Sequence, residues 1–188
     1  MLDIKSQKIL FIGCGAMGSA MVKNLIKNGF DPSQIHAVDP SLTHITGIKK
    51  HKKPEDLNPN FEYDFVFISV KPQIAQEVLK DYKDLPNFSS NTVFVSIMAG
   101  KKMKFIRDIL GSKIRLVRAM PNLPMVEGEG VFAYIFGSNM KQFQKKNLLK
   151  IFEFFGEAID LENEKYFHDF TAIFGSGTAY IFLLQEMF

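Results

Sequence analysis

Gly13, Gly15 and Gly18 stand in the spacing G-x-G-x-x-G, directly after the apolar run "KILFI" and before a helix-like pattern. Each can do a different job at a nucleotide: Gly13 permits a tight turn, Gly15 lets backbone approach a pyrophosphate, and Gly18 lets a helix pack closely on a strand. The N–H groups and positive dipole end of the following helix suit phosphates. The alternative is a plain strand–turn–helix with convenient glycines, but the strand before and the helix after are the context that dinucleotide binding requires. Asp39 closes the next expected strand, near the spacing of about 20 residues at which an acidic side chain bonds the adenosine ribose. A carboxylate there accepts the 2′-OH and repels a 2′-phosphate, and no arginine follows nearby, so NADH is slightly favoured over NADPH. Otherwise Asp39 only starts a turn with Pro40. Cys14, inside the grip, is either a thiol activated by the helix N-terminus or a small residue in a tight loop with no base beside it.

The same stretch has a leader-like side. Lys5 and Lys8 precede a charge-free run over 9–22. Lys23 and Lys27 interrupt it before the roughly 20 residues a spanning helix needs. Three glycines suit a turn better than the apolar helix of a signal peptide. No membrane partner is expected.

Three further segments follow the carboxyl ends of expected strands: "SVKPQ" (69–73), "SIMAG" (96–100) and "RAMPNLP" (118–124). That edge is where ligands bind in open α/β sheets. Singly these are loop lysines and turn prolines, but together they ring one cleft. No G-x-S-x-G and no Cys–His–acid set assembles a nucleophile. Hydride transfer needs none, because the cofactor performs the hard step while the protein holds and orients the partners.

The elements that must position these residues alternate. Strands are expected over 8–13, 34–38, 64–70, 91–97, 113–120, 130–136 and 156–161. Helices are expected over 16–28 with Gly29 as stop, over 101–110, and around Phe143, Leu148, Ile151 and Phe152. Another is opened by Pro72 and carries Ile74, Val78, Leu79 and Tyr82. The polar stretch 40–61 is the least defined, and its basic run over 49–53 reads as a solvated loop. This alternation predicts an α/β fold with a Rossmann-type, doubly wound, mostly parallel sheet. From residue 168 the pattern is helical with a Gly-Ser-Gly break. It is apolar on most sides and must bury against something. The expected division is a dinucleotide-binding domain over 1–163 and the first helix or helices of an all-α domain over 164–188.

With 188 residues, 46% of them hydrophobic and 23% charged, the chain can build a core without staples. A net charge of +3 is too small to imply nucleic acid. A lone cysteine excludes an internal disulfide and requires no oxidising compartment, so a cytoplasmic location is expected. His36, His44, His51 and His168 are scattered without a ligand spacing, so no metal is expected.

In order, "FIGCGAMGSAM", "ISVKPQ", "VSIMAG", "RAMPNLP", "FFGEAID" and "FGSGTAY" resemble pyrroline-5-carboxylate reductase over nearly the whole chain, from Lys8 to Phe188. The resemblance implies reduction of the C=N bond of 1-pyrroline-5-carboxylate to L-proline by NADPH or NADH, the last step of proline synthesis. By position, it implies that Gly13, Cys14, Gly15, Ala16, Met17 and Gly18 hold the pyrophosphate. Asp39, Pro40 and Ser41 then line the ribose, and Ser69, Val70, Lys71 and Pro72 pass under the cofactor. Ala99 and Gly100 come near the nicotinamide, and Met120, Pro121 and Asn122 close the cleft. Gly175, Ser176 and Gly177 open the first long helix of the second domain, on the substrate side. No catalytic side chain is assigned.

Two departures from the family pattern stand out: Asp39 replaces a small hydroxyl residue or Asn, and Thr178 replaces a proline. The family continues into a helical domain that interleaves with a partner and carries a Gly-rich, Thr-containing substrate loop. That loop has no counterpart here. The chain is therefore expected to keep the cofactor half, to associate with itself through its C-terminal helix, and to be either a working reductase or a dinucleotide-binding remnant.

Overall fold

Strands β1 (Ile9–Ile12), β2 (Ile35–Val38), β4 (Phe65–Ile68) and β5 (Val93–Ser96) are buried at every position in the computed structural model, which describes residues 3–41 and 45–187. Unbroken burial is what a parallel sheet covered on both faces demands. The other strands are β3 (Lys49–His51), β6 (Arg115–Met120), β7 (Gly130–Phe136) and β8 (Gly156–Asp160). The sheet order is β3-β2-β1-β4-β5-β6-β7-β8. All neighbours are parallel except β6 and β7. The order in which strands are added reverses between β1 and β4, which are parallel neighbours, and a crevice opens at the carboxyl ends of such strands. His44 and Phe188 lie outside the described residues.

Alternate side chains feed two cores. Phe11, Phe67 and Val95 pack with Met21 and Leu25 of helix α1 (Ala16–Lys27) and with Ile151 and Phe152 of a later helix. Leu10, Ile12, Val66 and Ile68 pack on the opposite face, with Leu79 of α2 (Ala75–Lys80) and Ile106 of α3 (Met103–Leu110). Helix α4 (Gln142–Phe152) supplies Ile151 and Phe152. A smaller patch joins Ala133 of β7 to Phe167 and Phe170 of α5 (Phe167–Phe170), which continues through a wide π-helical turn over 171–176 into α6 (Gly177–Glu186).

Several expectations need correction. The basic run over 49–53 begins as strand β3, not a loop, because β2 offers it a free edge: His36 pairs with Lys49 and Val38 with His51. Pro72 does not open α2, which starts three residues later; Ile74 is exposed rather than part of its apolar face. Phe143 likewise points to solvent on α4. The Gly-Ser-Gly segment does not break the C-terminal helix. The backbone widens to a π-turn and runs on. Such bulges absorb an extra residue without ending a helix.

The β2–β3 edge carries an acid-sensitive cluster. His36 is buried, its Nδ1 lies 2.8 Å from the Tyr63 hydroxyl and 3.3 Å from His51 Nε2, and its ring stacks on Phe61. Burial, with His51 and Lys49 as like-charged neighbours, pushes the imidazole from 6.5 down to about 4. Between those values the unfolded chain holds a proton that the folded chain refuses. Stability therefore rises with pH across that window and is lost as pH falls through it. Urea titrations at about pH 7.5 and about pH 5 are expected to differ by about 1–2 kcal/mol. In His36→Asn, which keeps an acceptor for Tyr63, the difference shrinks. An equal difference in that variant would assign the effect to other groups.

Candidate functional site

The glycine turn is built from below by the β4 loop. Gly13 has φ +76, and a Cβ there would lie 2.7 Å from Val70 Cγ1. Ser69 Oγ donates to the Gly13 carbonyl at 2.6 Å, and a Cβ on Gly18 would sit 2.8 Å from Ser69 Oγ. Gly15 differs, since a Cβ there would meet nothing within 4 Å among the described residues. Its lack of a side chain keeps open space rather than relieving a clash inside the fold. Gly15 is also the N-cap of α1, where no side chain caps the helix and no acidic residue stands in the first turn. The first-turn N–H groups of Ala16, Met17 and Gly18 have no intrahelical acceptor, an arrangement ready for an anion.

Asp39 is tied inward. Its Oδ2 accepts the Cys14 N–H at 2.8 Å, and its Oδ1 accepts both the N–H and the hydroxyl of Ser41, at 2.9 and 2.7 Å. It braces the glycine turn against β2 and shapes its own turn at the same time. The Cys14 side chain turns into the core, 1% exposed, and burial pushes its thiol up to about 11. That environment is the opposite of an activated thiol's, which leaves the reading of Cys14 as a small loop residue.

One cavity of about 480 Å³ gathers eight of the expected cofactor residues, those of the adenosine and pyrophosphate side. Gly13, Gly15, Asp39, Pro40, Ser41, Ser69, Val70 and Lys71 line it, as does Asp81. Lys52 and Lys53 line it too, and the motif reading did not include them. Asp56 Oδ2 accepts the backbone N–H of both lysines, holding their loop in place. Neither ammonium enters an ion pair among the described residues. The signal in the sequence was the basic run itself, and what it lacked was a partner strand to place it.

The remaining expected residues spread along the same edge of the sheet. Pro72 sits in the loop between β4 and α2. Gly100, after β5, borders a separate hollow of about 460 Å³ with Lys102, Arg118, Glu164, His168 and Thr171. Ala99 precedes it on the exposed turn. Met120 packs on the Phe167–Phe170 patch, and its Cε lies 3.7 Å from a Cβ built on Gly175, so the β6 end and the π-turn over Gly175 and Ser176 meet. Gly177 begins α6. Asn122 is buried and its Oδ1 accepts the Val131 N–H at 3.0 Å, so this side chain braces β7 rather than facing the cleft. Pro121 borders a small apolar void. A further hollow of about 350 Å³, around Ser89, Thr92 and Lys113, lies at the opposite end of the strands from these loops. No helix among the described residues is long and apolar enough to cross a membrane.

Strand order, glycine turn and uncapped helix together define a Rossmann-type fold. The family model for NADP oxidoreductase, coenzyme F420-dependent, matches residues 8–100. Pyrroline-5-carboxylate reductase of Vibrio alginolyticus is 31% identical over 189 residues, covering 97% of this chain and 68% of the relative. Among solved structures, pyrroline carboxylate reductase of Plasmodium falciparum with NADP bound superposes with a TM-score of 0.87 at 30% identity, over 98% of this chain and 68% of that one. The Coxiella burnetii reductase gives 0.86 at 30% identity, over 97% and 68%. The chain belongs to the pyrroline-5-carboxylate reductase family.

Proposed function

We propose that this chain binds a reduced nicotinamide dinucleotide and takes part in reducing the C=N bond of 1-pyrroline-5-carboxylate to L-proline. The observation that carries the dinucleotide reading is Gly15: an open, uncapped helix N-terminus whose missing side chain leaves space above the turn and not within the fold. The cofactor, when bound, supplies the hydride for the imine carbon, and the ring nitrogen takes a proton. The chain's own part is to hold and orient. The first turn of α1 neutralises a pyrophosphate, Ser69 and Val70 lock the glycine turn, and the edge over 96–100 and 120–122 supports the nicotinamide half. Proximity of this kind contributes up to about 7–11 kcal/mol in favourable reactions. The Rossmann unit over 1–163 and a helical unit from 164 are the working parts in this reading.

The cofactor preference changes once Lys52 and Lys53 stand beside Asp39. From spacing alone Asp39 favours NADH. With its carboxylate drawn toward Cys14 and Ser41, and with the same cavity lined by two lysines that enter no ion pair among the described residues, we read the site as favouring NADPH. The α6 residues Tyr180, Ile181, Phe182, Leu183 and Leu184 are each more than half exposed, a patch of the kind that marks an interaction surface. We propose self-association through them, and a monomer's mass by light scattering would overturn that.

A second reading, dinucleotide binding without turnover by this chain alone, is favoured by the cavity's contents. The side chains gathered there are those of an adenosine and pyrophosphate grip. The deciding assay is NAD(P)H oxidation by the 188-residue chain with pyrroline-5-carboxylate, run beside calorimetry with each dinucleotide. Turnover supports the reductase, binding without turnover the second reading, and no binding of either dinucleotide rejects both.

A further inference from the structure

Arg118 is a charged side chain in the middle of β6, 6% exposed, between neighbours that are buried and apolar. Its Nη1 donates to Glu164 Oε1 at 2.9 Å, and its guanidinium lies 4.3 Å from the centre of the Phe167 ring. Its Nε is buried with no hydrogen-bond partner among the described residues, so this charge leans heavily on the bond to Glu164. The same Glu164 oxygen accepts the N–H of Met103, the first residue of α3, at 2.8 Å. One carboxylate oxygen thus ties together three pieces of chain: the start of α3, the body of β6 and the entry to α5.

Each piece leads directly into a segment of the site. The loop over 96–100 runs into α3, residues 120–122 leave β6, and α5 leads to the π-turn with Gly175 and Ser176. The hollow beside the pair has Gly100 on its wall. Arg118 is buried and the Glu164 side chain is 24% exposed; an ion pair largely withdrawn from water is a poor way to gain stability, since well-packed apolar residues of the same volume do as well or better. What it does supply is a fixed relative orientation, because a shared oxygen tolerates little displacement of either donor.

We propose that Glu164 and Arg118 are positioning residues, holding the nicotinamide-side loops in register with each other without touching a ligand. The inference rests on the dinucleotide reading above. It predicts that disturbing the pair affects the nicotinamide half of the cofactor and spares the adenosine half, whose residues (Asp39, Ser41, Lys52, Lys53) belong to a different cavity.

The test uses Glu164→Ala and Glu164→Gln in the full chain, with two probes. Binding of 2′,5′-ADP by calorimetry reports the adenosine half alone. Affinity for NADPH and its nicotinamide emission report the other half, and with no tryptophan in the chain that emission is read without a competing indole. In Glu164→Ala we expect NADPH affinity to fall about tenfold and the emission change on binding to diminish, with the 2′,5′-ADP constant held within about twofold. Glu164→Gln, which keeps an acceptor for Met103 and the volume of the side chain, lies between the alanine variant and wild type. Equal losses for both probes in Glu164→Gln, or no change for either probe in both variants, would overturn the inference. A wild-type chain that binds neither probe and does not bind NADH overturns the dinucleotide reading and this inference with it; one that binds NADH alone is tested with NADH and 5′-AMP in their place. A wild-type chain that binds both, with variants that behave like it, overturns the inference alone.

Discussion

Replacing Lys52 and Lys53 together by alanine is expected to weaken NADPH binding by about 10- to 100-fold and to leave NADH binding within about twofold. The two cofactors differ only in a 2′-phosphate, which carries close to two negative charges at neutral pH. Hydrogen bonds to charged groups contribute about 1.5–3 kcal/mol each, with exposed lysines at the low end. Two such contacts, partly screened, account for the expected range. Lys52 and Lys53 share their cavity with Pro40 and Ser41, at the end of β2 where the ribose is expected, and Asp56 fixes their backbone. The ratio of the two dissociation constants is the quantity to measure, at two salt concentrations. Screening weakens the NADPH preference of the wild type, while a double variant without the cations loses most of that salt dependence. If the ratio does not move on substitution, the lysines only solvate the edge of the sheet, and Asp39 sets the preference toward NADH.

That prediction draws on geometry the linear sequence does not express. The four-residue apolar runs at β1 and β4, and the run Val93–Val95 in β5, are legible because a strand covered on both faces is apolar almost throughout. Strand β3 is not legible. An edge strand takes its backbone hydrogen bonds from one neighbour and needs no apolar side chains, so "KKH" reads as a loop. Only the parallel register of β3 on β2 carries Lys52 and Lys53 round to Ser41. Arg118 is hidden in another way. Its motif is conspicuous, but its partner Glu164 lies 46 positions further on, in a stretch with no pattern of its own. Asn122 was placed in the cleft by position, and its side chain turns to β7 instead. The glycine spacing is legible because Gly13, Gly15 and Gly18 fall in one short contiguous stretch, but what Gly13 and Gly18 pack against, Val70 and Ser69, comes from the distant β4 loop, and the fold makes no such demand on Gly15.

Those glycines divide into two kinds, and substitution should separate them. Gly15→Ala is expected to keep stability within about 1 kcal/mol, the scale of an altered N-cap, because its φ of −67 suits any residue and the new Cβ meets nothing within 4 Å. The space it fills is the space above the first turn of α1, so dinucleotide affinity should drop by at least about tenfold. Gly13→Ala should behave in reverse order. Its φ of +76 costs an L-residue about 1–2 kcal/mol, and its Cβ meets Val70 at 2.7 Å, where overpacking costs about 1–3 kcal/mol more. A loss of about 2–5 kcal/mol lowers the melting temperature of a domain this size by roughly 4–20 °C. Thermal melts and dinucleotide titrations on the two variants separate stability from binding. A Gly15→Ala chain that melts with wild type and still binds NADPH normally would show that the pyrophosphate does not pass over this turn. That result would remove the observation on which the cofactor reading rests.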